Sequence, residues 1–279
     1  MPSDQSTEKS DLLLKLGAVV ERVTPAPIVD TSHFVNRARA LALEHTNDPN
    51  KPGNGFFADQ FETEANWRAH LEGTGPEIYK QCGGRVDAFV AGAGTGGTIS
   101  GVALFLKPKL PDVKIVLADP QGSGLFNKVK YGVMFDPKEK EGTRRRQQVD
   151  TIVEGIGLNR LTANFEAGRE LIDEAVKVTD AQALKMARWL VEKDGIFMGS
   201  SSAVNCKLPT SSCLDKLNAR LTRYAGFAAL KTALNMGPGH RVVTILCDSG
   251  ARHLSKFWAT AGTVGGSEGT TLQDILRDD

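Results

Sequence analysis

The sequence predicts an α/β fold built from parallel β-α units, and three observations predict it. Strand-length apolar runs at 86–91 and 113–118 alternate with segments of helical period. A glycine-rich turn joins the first of these runs directly to the helix after it. The chain has 279 residues, 41% hydrophobic and 24% charged, which suits one or two ordinary globular domains with a sizeable core.

The elements follow in chain order. Ser6-Thr7-Glu8-Lys9-Ser10-Asp11 precedes Leu12, Leu13, Leu14 and Leu16, and Gly17 comes next, the pattern of a short capped helix with a glycine stop. Residues 19–23 predict a strand. Phe34, Val35, Ala38, Leu41 and Ala42 recur at helical spacing within 32–45, residues 47–54 form a Pro, Gly and Asn loop, and 56–58 predict a short buried strand. A turn at 73–76 interrupts the helical pattern of 67–81. Beyond the strand at 86–91 come a helix at 99–106, the strand at 113–118, amphipathic helices at 165–177 and 180–194, and an apolar strand at 241–247 that ends in Asp248-Ser249-Gly250.

Several classes of function are excluded by composition. A net charge of +1 gives no field to recruit nucleic acid or an anionic membrane, so a small-molecule partner is expected. The densest charged run, 138–146, mixes both signs and reads as a solvated loop. Cys82, Cys206, Cys213 and Cys247 are scattered, which argues against zinc and against a disulfide framework. No apolar run is long enough to span a membrane, and the opening residues resemble neither a secretory nor a mitochondrial leader; the scattered cysteines suit a reducing compartment, expected to be cytoplasmic or mitochondrial with N-terminal targeting information missing. No histidine accompanies a Gly-x-Ser-x-Gly elbow, and His45 and His70 read as exposed helix residues.

The run Ala91-Gly92-Ala93-Gly94-Thr95-Gly96-Gly97-Thr98 carries the chemistry. Successive amides at a helix N-terminus, unhindered by side chains, make a nest for a phosphate dianion. Gly92, Gly94 and Gly97 also satisfy Gly-x-Gly-x-x-Gly, with Asp119 placed to meet a ribose, so an NAD-dependent Rossmann enzyme is a rival reading. Two features count against it. Thr95 and Thr98 offer hydroxyls suited to a terminal phosphate, and Asp119 leads into Pro120-Gln121-Gly122-Ser123 rather than into a helix.

Further motifs give these residues a family context. Gly75-Pro76-Glu77-Ile78, Gly94-Thr95-Gly96-Gly97-Thr98, Asp119-Pro120-Gln121-Gly122-Ser123, Glu154-Gly155-Ile156-Gly157, Gly199-Ser200-Ser201-Ser202-Ala203 and Cys247-Asp248-Ser249-Gly250 occur in the order in which similar segments occur in the cysteine synthase and cystathionine β-synthase family. The chain resembles these fold-type II, tryptophan-synthase-β-like enzymes from Met1 to about Trp258. The resemblance implies parallel sheets flanked by helices, pyridoxal 5'-phosphate as cofactor, and a homodimer. It places the cofactor phosphate on Gly94, Thr95, Gly96, Gly97 and Thr98, the pyridine nitrogen on Ser201, and the substrate beside Gln60 and Gly157. A serine at that nitrogen suits β-elimination and replacement, hence a sulfur nucleophile replacing the β-substituent of an activated serine. Cystathionine β-synthase-type chemistry is the alternative. By themselves, Ser200, Ser201 and Ser202 would read as a helix N-cap cluster.

The family's covalent lysine and its substrate-carboxylate loop have no counterpart here, so no catalytic residue is assigned, and a non-catalytic ligand-binding remnant is a further reading. The opening MPSDQSTEKSDLLLKLGA is similar to an internal stretch of the family. Residues 1–61 are therefore expected to be the remnant of an N-terminal domain with exposed apolar edges, and 62–279 a cofactor-phosphate-binding domain. Residues 207–226 interrupt a helix that Phe227 would continue. Their codons can carry splice donor, branch and acceptor signals, so the expectation is a retained intron.

Overall fold

A computed structural model describes residues 1–135, 151–205, 227–263 and 275. The charged run at 138–146 and the interruption at 207–226, with Cys206 and Cys213, lie outside the described residues.

Helix α1 (Thr7–Lys15) and helix α2 (Phe34–Asn47) open the chain. Gly17, at φ +84°, ends α1 where the leucine pattern stops. Helices α3 (Glu64–Ala69) and α4 (Gly75–Gln81) are joined by a π-helical turn over His70–Thr74. The expected turn at 73–76 is thus absent. Pro76 has no N–H to give, and the widened turn carries the helix past it.

Strand β1 (Ala88–Gly92), helix α5 (Gly97–Leu106), strand β2 (Lys114–Pro120) and helix α6 (Leu125–Tyr131) form the expected β-α units. Helix α7 (Ala163–Glu166) precedes strand β3 (Glu174–Val178) and helix α8 (Asp180–Asp194), whose Thr179 and Gln182 form a reciprocal capping box. Helix α9 (Ser200–Asn205), helix α10 (Phe227–Met236), strand β4 (Val242–Thr244) and helix α11 (Ala259–Thr263) complete the described elements.

Among the described residues the four strands make one parallel sheet in the order β3-β2-β1-β4. The pleat sends alternate residues to opposite faces. Phe89, Ala91, Ile115 and Leu117 pack with Ile99, Val102 and Leu106 of α5, while Val90, Val116, Val176 and Val178 pack with Met186, Ala187 and Leu190 of α8. Both faces are covered, as a parallel sheet requires. Phe89 is fully buried at the centre of this arrangement. Phe89→Ala is expected to lower stability by about 3–5 kcal/mol in urea unfolding, through lost burial and the cavity left behind.

Four expected elements are corrected. The strand at 19–23 does not form: Val23 makes only an isolated bridge to Pro2, and Val19 is fully exposed. The buried strand at 56–58 is also absent, with Phe56 87% exposed. The helix at 165–177 breaks up because the sheet outcompetes it. Asp173 donates its amide to Ile115 O at 2.9 Å, and Glu174 to Val178 then pair along β2, burying Val176 and Val178 on one face and Ala175 on the other. The strand at 241–247 shortens to Val242–Thr244, because the Cys247 amide turns to Ser202 Oγ at 2.8 Å.

Candidate active site

Strand β1 leads through α5 to β2 on one side of it, whereas β3 leads on to β4 on its other side, so the strand order switches direction at β1. A crevice therefore opens at the C-terminal end of β1, where open α/β sheets take their ligands. Asn205, fully buried at the end of α9, spans it: its Oδ1 accepts the Gly92 amide at 2.8 Å and its Nδ2 donates to Ile245 O at 3.2 Å. Nothing in the sequence singles out Asn205; it stands three residues after the serine triplet and carries no motif of its own.

The turn between β1 and α5 leads into the helix N-terminus at Gly97. Gly96 sits at φ +89°, a conformation that needs glycine, and an added Cβ would lie 2.5 Å from the Phe165 backbone. The Thr98 and Ile99 amides find no acceptor among the described residues, as expected in the first turn of a helix. Thr95 Oγ1 accepts from Asn66 Nδ2 at 3.0 Å and from the Gly97 amide at 3.3 Å, which leaves its own proton to donate. Two unengaged amides, a helix dipole and an available hydroxyl form a donor set that fits a phosphate dianion.

Thr98 Oγ1 lies 3.2 Å from His70 Nε2, and His70 Nδ1 lies 2.9 Å from Thr74 Oγ1. His70 is therefore not the exposed helix residue expected from the sequence; it is half-buried, and burial lowers its pKa. His45 is likewise only partly exposed. Asp119 does not face a ribose position. Its carboxylate is buried, accepts the Phe126 amide at 2.7 Å and lies 3.7 Å from Lys177, so it serves the start of α6, contrary to the dinucleotide reading.

The loop Glu154-Gly155-Ile156-Gly157 closes over this turn. The Gly157 amide donates to Ala93 O at 2.8 Å, and Gly155 O approaches Gly94 so closely that a Cβ there would be 2.0 Å away. Gln60 is drawn in from the other side, its carbonyl accepting Asn66 Nδ2 at 2.7 Å and Asn164 Nδ2 at 2.9 Å. Gln60, Gly94, Thr95, Glu154 and Gly155 share one cleft of about 710 Å³, with Arg160 and Lys256 as its cations. Ser201, buried at the start of α9, is not among the residues that line this cleft.

At its edge lies a cluster that joins two motif residues, Glu154 and Asp248, to Ser6, Lys9 and His253. Glu154, nearly fully buried, accepts from Ser6 N at 3.0 Å, from Ser6 Oγ at 2.8 Å and from Lys9 Nζ at 2.5 Å. His253 Nδ1 faces Glu154 at 3.3 Å and its Nε2 faces Asp248 at 2.8 Å. Burial would raise the Glu154 pKa, but hydrogen bonds from His253, Lys9 and Ser6 outweigh it and hold the carboxyl far below the usual range. Burial would lower the His253 pKa, but its bonds to Asp248 and Glu154 raise it instead. Its members come from opposite ends of the chain and from the loop between them, so no local spacing could have revealed them.

Comparison with known proteins supports the phosphate reading. Residues 1–209 match the family described as pyridoxal-phosphate dependent enzyme. The chain belongs to that family. Within it, the chain is similar to cysteine synthase 2 of Emericella nidulans, 68% identical over 99% of this chain and 62% of the relative. It is 52% identical to the "Putative mitochondrial cysteine synthase" of Saccharomyces cerevisiae, over 99% of this chain and 65% of the relative. The solved structure of an O-acetylserine dependent cystathionine beta-synthase from Helicobacter pylori superposes with a TM-score of 0.66 at 29% identity, covering 92% of this chain and 68% of that one. The chain thus spans about three-fifths of the length of the curated relatives it matches. The α/β, fold-type II expectation and the pyridoxal-phosphate family stand. Among the described residues no helix is long and apolar enough to cross a membrane, and no cluster of metal ligands occurs.

Proposed function

We propose that this chain is the cofactor-phosphate-binding portion of a cysteine-synthase-like enzyme that replaces the β-substituent of an activated serine with a sulfur nucleophile. The observation that carries this reading is the turn at 94–98: open amides and a donor hydroxyl at a helix N-terminus, placed at the crevice beside β1. Gly94, Thr95, Gly96, Gly97 and Thr98 would hold the phosphate, Ser201 the ring nitrogen, and Gln60 and Gly157 the substrate. The cofactor, when bound, supplies electron withdrawal from the substrate's α-carbon. The chain's own residues orient it and shape the cleft.

The sequence holds no segment like the family's covalent lysine, and the lysine that lines the cleft among the described residues, Lys256, already lies 3.7 Å from Glu154 and donates to Asp4 O at 3.3 Å. The chain by itself therefore binds the cofactor without covalent attachment and does not turn over. Three features favour residues 1–61 as part of a larger domain: Leu16 is 74% exposed, Val29 89%, and Val19 and Phe56 have no strand partner. The match to the family ends at residue 209, close to the start of the stretch read as an insertion at 207–226. A homodimer and a mitochondrial setting follow from the same family reading, the latter from the yeast relative's name.

The test is a titration with pyridoxal 5'-phosphate followed by borohydride, with O-acetylserine and sulfide turnover measured in parallel. Saturable binding that dialysis reverses, with no fixation by borohydride and no cysteine formed, is the expected result. Fixation at a lysine would refute the non-covalent reading, and absence of any binding would refute the phosphate cup. Cysteine plus homocysteine assays distinguish the cystathionine β-synthase-type alternative, favoured by the Helicobacter neighbour, once the complete enzyme is assembled.

A further inference from the structure

Lys9, Glu154, His253 and Asp248 form a row of alternating charge, and each comes from a different part of the chain. Lys9 is on α1, Glu154 opens the loop over the phosphate turn, Asp248 follows β4, and His253 starts the segment leading to α11. Glu154 and His253 are almost fully buried, which is unfavourable for charged groups unless they are paired, while Lys9 and Asp248 remain partly exposed. Lys9–Glu154 and Glu154–His253 each join two segments that approach the cleft, while Asp248–His253 braces the turn between β4 and α11.

His253 occupies the middle. Its ring is almost fully buried, with Glu154 Oε2 at 3.3 Å from Nδ1 and Asp248 Oδ2 at 2.8 Å from Nε2. Ser200 Oγ lies 3.4 Å from the same Nδ1 and accepts the Glu154 amide at 2.9 Å, so the ring touches the residue preceding Ser201. Asp248 is held at close range: a Cβ on Gly199 would be 1.9 Å from Asp248 Oδ1 and 2.8 Å from His253 Nε2. On the far side, α1 is seated by Ser6 and Lys9 on Glu154, and by Glu8, whose carboxylate accepts both the amide and the hydroxyl of Ser255 at 2.7 Å.

We propose that His253 is a positioning residue that locks the Glu154–Gly157 loop and the start of α9 into one geometry, and through Glu154 couples that geometry to the seating of α1. The part concerning ring binding rests on the reading of Ser201 given above. A neutral imidazole has one N–H and cannot donate to both carboxylates. Loss of a proton therefore releases one arm. The arm to Glu154 is the longer, and Ser200 competes for the same nitrogen, so it is the loop that loosens while Asp248 stays bound. The charged groups that face His253 are Asp248 beyond β4 and Glu154 from the loop, which favour its proton, and Lys9 from α1, which opposes it, with Lys256 lying 3.7 Å from Glu154.

The experiment uses the full chain, with inorganic phosphate as a probe of the cup, pyridoxal 5'-phosphate as a probe of cup and ring site together, and amide hydrogen exchange as a readout that needs no ligand. In His253→Leu, phosphate affinity is expected to stay within about twofold, pyridoxal phosphate affinity to fall about tenfold, and exchange at 7–15, 154–157 and 200–205 to accelerate together about tenfold. His253→Gln, which keeps hydrogen bonding but no charge, is expected to be intermediate. In the unmodified chain, the protection factor at 154–157, taken against the intrinsic exchange rate at each pH, is expected to fall as pH climbs through the His253 titration, and this step should vanish in His253→Gln. Exchange changes confined to 248–258, or equal weakening of both ligands, would overturn the proposal. If the unmodified chain binds pyridoxal phosphate no more tightly than phosphate, the Ser201 reading fails, and the exchange pattern still decides the coupling. Should His253→Leu not fold, the pH dependence of protection in the unmodified chain tests the coupling alone: a fall in the protection factor at 154–157, corrected for the intrinsic rate, supports it, and a constant protection factor overturns it.

Discussion

Gly96→Ala is expected to abolish phosphate binding and to lower stability by about 2–6 kcal/mol, the sum of a strained left-handed residue and an overpacked contact. Gly96 sits at φ +89°, and the new methyl would meet the Phe165 backbone at 2.5 Å. Neither can yield cheaply, because Phe165 is fully buried and its carbonyl already accepts Ser100 Oγ at 3.1 Å. Relief must come from the turn itself, which would withdraw the Thr98 and Ile99 amides from a common focus. Urea unfolding and isothermal titration with inorganic phosphate check both halves. A variant of unchanged stability that binds phosphate normally would show that the turn is not built as described.

Glu154→Ala is expected to cost about 3–5 kcal/mol, because it leaves Lys9 and His253 facing an apolar void instead of a carboxylate. The same cluster fixes how stability responds to pH. The Glu154 contribution is fully present above its ordinary value of 4.5 and is lost as pH falls towards its depressed folded value. The His253 contribution is fully present below its ordinary value of 6.5 and is lost as pH rises through its raised folded value. Their joint contribution is therefore greatest between pH 4.5 and 6.5. Urea midpoints measured across pH in the unmodified chain and in Glu154→Ala should differ most inside that window.

Local patterns made most of the fold legible. The β1-turn-α5 unit, β2, and α8 with its Thr179 cap all have periodicity and punctuation that agree with their final environment. Reading failed where a distant partner decided the outcome. Residues 174–178 become a strand only because β2 offers an open edge, whereas 19–23 meet only the opening residues, at a single Pro2–Val23 bridge, and 56–58 have no ladder partner among the described residues. The site divides in the same way. Gly94 to Thr98 were legible because a phosphate nest is a local backbone motif, whereas His253, Asn205 and His70 gain their roles from residues on other elements.

The pairing of β1 with β4 has a temporal consequence. Thr244 Oγ1 reaches Val90 O across 154 positions of sequence, and Asp248 and His253 come later still. During synthesis the phosphate turn emerges well before residues 242–253 and lacks one wall of its crevice until these have left the ribosome. Ligand capture is then a closing event of biogenesis, and polypeptides released before residue 242 would carry the glycine turn without the cleft that makes it useful.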